Sequence, residues 1–213
     1  MCWNEPVSWT TFILGTLFNI FNICYFRDTT LTLISILIQW LLLMQFFEAL
    51  AWRDQNCGSL NAFATNGALV ANLTQPIVVC MSFLMFTKVP QHYKLLALGI
   101  TFLYISYILY KLNNRPPYTC LKPTEQCTHL DLVWWRDMSG LFYCMTLFSV
   151  MLLLIRPFRL SLFVTGYIAS TLVISLLFYS CSVGSMWCWF TSFAPIIITI
   201  YWYFYVKNNE VQS

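Results

Sequence analysis

Apolar residues run along this chain in long unbroken stretches. They do not alternate with polar ones, and they do not form narrow amphipathic stripes. Seven stretches separate at polar turns: Trp9–Phe26, Leu31–Trp52, Leu60–Phe86, Tyr93–Lys111, Met138–Ile155, Leu160–Tyr179 and Met186–Val206. A bilayer core about 30 Å thick needs about 20 apolar residues of helix, and these stretches fall near that length. Continuous runs predict helices, whereas a membrane barrel would alternate apolar and polar positions. The breaks carry turn chemistry. Arg27-Asp28-Thr29-Thr30 offers capping residues, and Lys88-Val89-Pro90 and Arg156-Pro157-Phe158-Arg159 combine proline with charge. The expected fold is all-α: one polytopic domain over residues 1–213, a bundle of about seven transmembrane helices. A cysteine-bearing loop joins the fourth helix to the fifth. Met1–Ser8 holds no Lys or Arg and no A-x-A-like site follows the first helix, so that helix is expected to stay in the mature protein.

Composition agrees with the pattern. The chain is 59% hydrophobic and 9% charged, against about 25% charged residues in an ordinary soluble domain. Soluble globular and disordered classes are excluded. A net charge of +3 is too small to suggest a nucleic-acid partner, and there is no basic run, so none is expected. The lipid bilayer is the partner that the composition implies.

Seven crossings would put the two termini on opposite faces. The N-terminal face (face A) carries Arg53, Arg115, Lys122 and Arg136, with Lys111 at the rim, balanced by Glu5, Asp54, Glu125, Asp131 and Asp137. The other face (face B) has only short segments, yet holds Arg27, Lys88, Lys94, Arg156, Arg159 and Lys207. Lys and Arg density in short loops marks the cytoplasmic side, which favours face B. Cysteine votes the same way. Cys2, Cys57, Cys120, Cys127 and Cys181 lie in face A segments, and Cys188 lies within a turn of that face. Gathered thiols fit disulfides in an oxidising compartment. The N-terminus is therefore expected outside or in a lumen, with the C-terminus in the cytosol. The six cysteines leave the pairing open. A sharper alternative, a metal site from Cys120, Cys127, His129 and Asp131, has spacing unlike the usual zinc patterns, so no metal and no cofactor is expected.

Several short motifs occur in a particular order. Met1-Cys2-Trp3 begins the chain and Glu48-Ala49-Leu50 ends the second helix. Cys57-Gly58 and Asn61 lead into the third, which contains Gln75-Pro76. Trp134-Trp135-Arg136-Asp137 precedes the fifth, and Trp187-Cys188-Trp189-Phe190 opens the seventh. This order resembles an uncharacterised family of small multi-pass membrane proteins of bacteria and large DNA viruses. The resemblance spans nearly the whole chain. It implies a fold and a place in a membrane, and no activity. One departure is that the resemblance would place a histidine about one turn before Gln75-Pro76, where this chain reads Val70-Ala71-Asn72-Leu73-Thr74. Any role needing an imidazole there is in doubt.

Polar groups within lipid are costly, so their arrangement is the main functional signal. At about 100° per residue, Asn61, Thr65, Asn72 and Gln75 of the third helix fall within about 80° of one another. They form a polar stripe from face A to mid-membrane. Pro76 frees a backbone carbonyl, adding an acceptor to the stripe. In the second helix Gln45, Glu48 and Trp52 share a face, with Glu48 about 6 Å from its face A end. Asn19 and Asn22 lie one turn apart on the first helix, and Pro195 is expected to kink the seventh. One reading is interhelical glue. The other is a polar pocket opening to face A between the second, third, fifth and seventh helices. Glu48, Gln45, Asn61, Thr65, Asn72, Gln75 and Trp187 would be its ligand-binding residues, and Glu48 its proton or cation acceptor. A bland alternative pairs Glu48 with Arg136 or Arg53. Asn72-Leu73-Thr74 matches a glycosylation sequon but falls mid-helix, where no glycan is expected. Trp3, Trp9, Trp52, Trp134, Trp135 and Trp187, and Trp202, Tyr203 and Tyr205 on the other side, read as interface belts.

Several chemistries drop out. No Lys lies within the seventh stretch from Trp187 to Val206 for a Schiff base, and His92 and His129 fall on opposite faces. Gly-rich phosphate loops, nucleophile–base pairs and internal repeats are not evident. Three functions remain. The first is a small-molecule or ion handler (transporter, channel or sensor) around Glu48. The second is a structural or interaction protein of a viral or cellular membrane. The third is a membrane enzyme using Glu48, Asp137 or a cysteine such as Cys188, which ranks last because no CxxC is present. Enzyme activity is not expected, and the oligomeric state is not encoded in any feature.

Overall fold

A computed structural model describes residues 4–112, 138–180 and 182–206 of the chain, and all regular structure among them is helical. The helices are α1 (Glu5–Phe26), α2 (Thr29–Arg53), α3 (Ser59–Phe86), α4 (Gln91–Leu112), α5 (Met138–Leu154), α6 (Phe158–Phe178), α7 (Val183–Thr191) and α8 (Ala194–Tyr201), followed by a π turn at Trp202–Val206. Because α7 and α8 share one apolar stretch, Val183–Phe204, they form a single rod, and the bundle has seven.

Local chemistry sets the ends. The Asn4 side chain accepts from Val7 N at 2.9 Å and Pro6 sits in the first turn, so α1 starts at Glu5 rather than at the expected Trp9. Asp28 Oδ1 accepts from Leu31 N at 2.8 Å and starts α2 at Thr29. The reversal between α1 and α2 turns on Arg27, whose φ of 55° is left-handed. Gly58 gives α3 no side-chain cap. Asp54 takes that role, accepting from Gly58 N at 3.3 Å and Asn61 N at 3.1 Å.

The last rod is broken rather than kinked. Pro195 has no N–H for the Thr191 carbonyl one turn earlier. Side chains take up neighbouring carbonyls: Tyr167 OH donates to Phe190 O at 2.8 Å, Ser192 Oγ to Trp189 O at 2.6 Å, and Thr191 Oγ1 to Trp187 O at 2.9 Å. Irregular backbone at membrane depth is tolerated only where protein groups satisfy it in this way.

The central rod is α2, which packs against α1, α3, α7 and α8. On the far side α3 packs on α4 and α5, and α5 packs on α6. Approach is close where side chains vanish. A Cβ on Gly15 would meet Leu42 at 2.7 Å, and one on Gly67 would meet Phe47 at 2.1 Å. Side chains are distributed opposite to those of a soluble protein. Leu17, Phe102, Leu103, Leu177 and Phe178 face outward, while Asn19, Asn22, Gln45, Glu48, Asn72 and Gln75 are buried. Six rods are long and apolar enough to cross a bilayer, and the shorter α5 is apolar over Gly140–Leu154. The chain is a multi-pass helical membrane protein.

Two expectations need correction. Trp187 and Trp202 are buried in the core, not spread in interface belts, because the faces of the last rod that carry them turn toward its neighbours. Cys188 is a buried free thiol and not a disulfide partner, since its place in α7 points it at α2 and α3. Cys57 is disulfide-bonded. Cys2, Cys120, Cys127 and Cys181 lie outside the described residues, as do Arg136, Asp137 and the metal alternative at Cys120, Cys127, His129 and Asp131.

Candidate functional site: a buried carboxyl between α2, α3 and α7

Glu48 sits in the last third of α2, five residues before Arg53 and about 7.5 Å along the axis from that end. It is 2% exposed. Its spacing of three from Gln45 puts both side chains on one face, and Gln45 Nε2 donates to Glu48 Oε2 at 2.9 Å. Glu48 Oε1 has no hydrogen-bond partner among the described residues. Arg53 does not answer it, being exposed. Met44 of α2, Ala68 and Ala71 of α3, and Cys188 of α7 form one buried cluster. Cys188 lies within electrostatic reach of Glu48.

An isolated carboxylate removed from water is very costly, and a single amide donor compensates little of that cost. A site of this kind is neutralised by a proton or by a cation, and exchange of either is the chemistry it can perform. No group of three or more metal-ligating side chains occurs among the described residues.

The α3 stripe is buried as its periodicity implies, but it divides into parts. Near face A, Asn61 Nδ2 donates to Ala51 O at 3.4 Å and Thr65 Oγ1 donates to Asn61 Oδ1 at 3.3 Å. These bonds staple the α2–α3 turn. At mid-helix, Tyr143 OH of α5 donates to Gln75 Oε1, while Gln75 Nε2 has no partner among the described residues. Tyr104 OH of α4 donates to Leu73 O at 2.9 Å, next to the Asn72 carbonyl whose helical donor Pro76 removes. Trp187 is tied to α6, its Nε1 donating to Ile168 O at 2.8 Å and Thr171 Oγ1 at 3.1 Å. Its ring meets Tyr143 edge-on at 5.9 Å. The seven expected residues therefore fall into a Gln45–Glu48 pair, a turn staple, a mid-membrane amide level at Asn72 and Gln75, and a Trp187 anchor.

Asn19 and Asn22 are interhelical glue. Asn19 Nδ2 donates to Gln39 Oε1 at 3.1 Å, and Asn22 Nδ2 donates to Pro195 O at 3.3 Å. Thr199 Oγ1 donates to Asn22 Oδ1 at 2.6 Å. Two outer grooves are lined wholly by described residues. One, about 270 Å³, runs between α1 and the α7–α8 break past Trp189 and Phe193. The other, about 410 Å³, runs between α1 and α2 past Asn19 and Gln39. Glu48 lines neither.

Tyr143, Tyr104 and Tyr167 escaped the sequence reading, and Cys188 entered it only as a disulfide candidate or reactive thiol. The usable signal was a hydroxyl or thiol inside an apolar helix, which must find a partner once buried. No family model matches the chain, and no curated protein or solved structure matches it either.

Proposed function

We propose that this membrane protein handles a small cation or proton, as a transporter, channel or sensor, through Glu48. The observation that carries this reading is the buried Glu48 carboxyl, which is held by Gln45 on one oxygen and has the other oxygen open among the described residues. Elsewhere in the bundle buried amides bridge helices. Here Gln45 instead turns its amide nitrogen to a carboxyl on its own helix. The polar level at Asn72 and Gln75, with the Gln75 amide nitrogen still a donor, supports a route deeper into the bundle.

Face A is the exoplasmic or lumenal side in this reading, with the N-terminus there and the C-terminus cytoplasmic. Disulfide-bonded Cys57 on face A, free exposed Cys24 near face B, and Arg27, Lys88, Lys94, Arg156 and Arg159 on face B support that orientation. Membership of the bacterial and viral small multi-pass family rests on motif order alone.

A second reading, a structural or interaction protein, is favoured by the number of polar side chains bonded helix to helix, such as Trp40 Nε1 to Thr74 Oγ1 at 2.8 Å. Vesicle flux decides between the two. Purified chain reconstituted into liposomes should dissipate an imposed proton or monovalent-cation gradient, and Glu48→Gln, which keeps the shape and removes the titratable group, should abolish that flux while folding normally. Equal flux from both proteins, or none from the wild type under every gradient, would leave the structural reading standing.

A further inference from the structure

Among the described residues, two cations at the face B turns, Lys94 and Arg156, have no carboxylate partner. Lys94, in the first turn of α4, donates Nζ to Leu84 O at 3.3 Å. Arg156, at the end of α5, donates Nη1 to Leu152 O at 3.3 Å and Ile155 O at 3.2 Å. Its guanidinium carbon lies 5.1 Å from the centre of the Tyr93 ring, so the α5–α6 turn rests against the start of α4. Both cations are half-buried and held in place, and both bond only to backbone carbonyls, which leaves Arg156 Nε and Nη2 and two Lys94 protons unspent. Arg159 and Lys88 stand on the same face. Neither α4 nor α6 has an acidic residue in its first turn. Asp28, the described acid on this face, is engaged in capping α2.

Beside these cations the surface turns apolar. Met85, Phe86, Leu95 and Phe158 are exposed around the same turns. Fixed cations at a helix rim above exposed apolar side chains match one molecule at both ends: a phosphate headgroup and its acyl chains. We propose that Lys94 and Arg156 bind the phosphate of an anionic phospholipid, with Met85, Phe86, Leu95 and Phe158 against its chains. Free phosphate would satisfy the cations and leave the apolar flank uncovered, so the lipid is the occupant.

The test is lipid retention by the full chain purified in detergent, read by native mass spectrometry. Phosphatidylglycerol and phosphatidylcholine are offered in equal amounts. Wild type should retain phosphatidylglycerol preferentially, and high salt should weaken the preference. Lys94→Gln and Arg156→Gln should each lower it about fivefold, and Arg156→Lys should keep most of it. Arg27→Gln, on the same face but at the α1–α2 turn, should leave it unchanged. Equal retention of the two lipids by wild type overturns the proposal without recourse to any variant that might misfold. So does a Lys94→Gln/Arg156→Gln double variant that folds and retains phosphatidylglycerol like wild type. Displacement of the lipid by inorganic phosphate at matched ionic strength would show a free-anion site and overturn it as well.

Discussion

Two glutamines lie less than two turns apart on α2 and are used in opposite ways. Gln39 reaches across to α1 with both ends of its amide: Nε2 donates to Thr16 Oγ1 at 3.0 Å, and Oε1 accepts from Asn19 Nδ2 at 3.1 Å. The adjacent Trp40 is tied to α3 through Thr74. Gln45 instead donates to Glu48 on its own helix. The first arrangement joins rods, and its worth is packing energy. The second holds a carboxyl away from water, which carries a desolvation cost. Burial differs as well: Gln39 is half-buried beside the α1–α2 groove, whereas Gln45 and Glu48 are fully buried.

The largest effect should come from breaking the second arrangement. Gln45→Leu removes the amide donor from a buried carboxyl, which should destabilise the protein by about 2–3 kcal/mol. Adding Glu48→Leu should recover most of that loss, because the group left unsatisfied is then gone. Unfolding of both variants in detergent checks this, and simple additivity of the two changes would erase the distinction between the regions. A smaller effect is expected in the glue. Gln39→Leu loses two interhelical bonds at about 0.6 kcal/mol each, and Asn22→Val should cost about as much through Pro195 and Thr199. Neither should alter proton or cation flux once folded protein is matched. A flux defect in Gln39→Leu would mean that the α1–α2 seam is part of the site.

The rods were legible because run length in lipid is set by bilayer thickness; the starts of α1 and α2 moved to the caps Asn4 and Asp28, while α6 and α7 begin two and three residues early with no capping side chain. The break in the last rod was legible from Pro195, and the inward face of α3 from the spacing of Asn61, Thr65, Asn72 and Gln75. The partners of those residues were not. Tyr143 lies near the start of its helix, where a tyrosine fits an interface belt as well as a core. Nothing in one dimension shows that α5 turns it toward Gln75. Trp187 misled for the same reason: an indole near a helix end suits the membrane boundary, and only the packing of α7 on α6 supplies Ile168 O and Thr171 as acceptors. Cys188 was grouped with the face A thiols by proximity in sequence, while the rotation of α7 carries it toward Met44 and Ala68.

The most direct measurement is infrared difference spectroscopy of the reconstituted protein as pH and monovalent cation are varied. If Glu48 exchanges a proton or a cation, wild type should give a carboxyl band that responds to one of these changes, and Glu48→Gln should lose that band alone. Spectra of wild type and Glu48→Gln that change identically across every condition would contradict the account, making Glu48 a permanently neutral part of the packing.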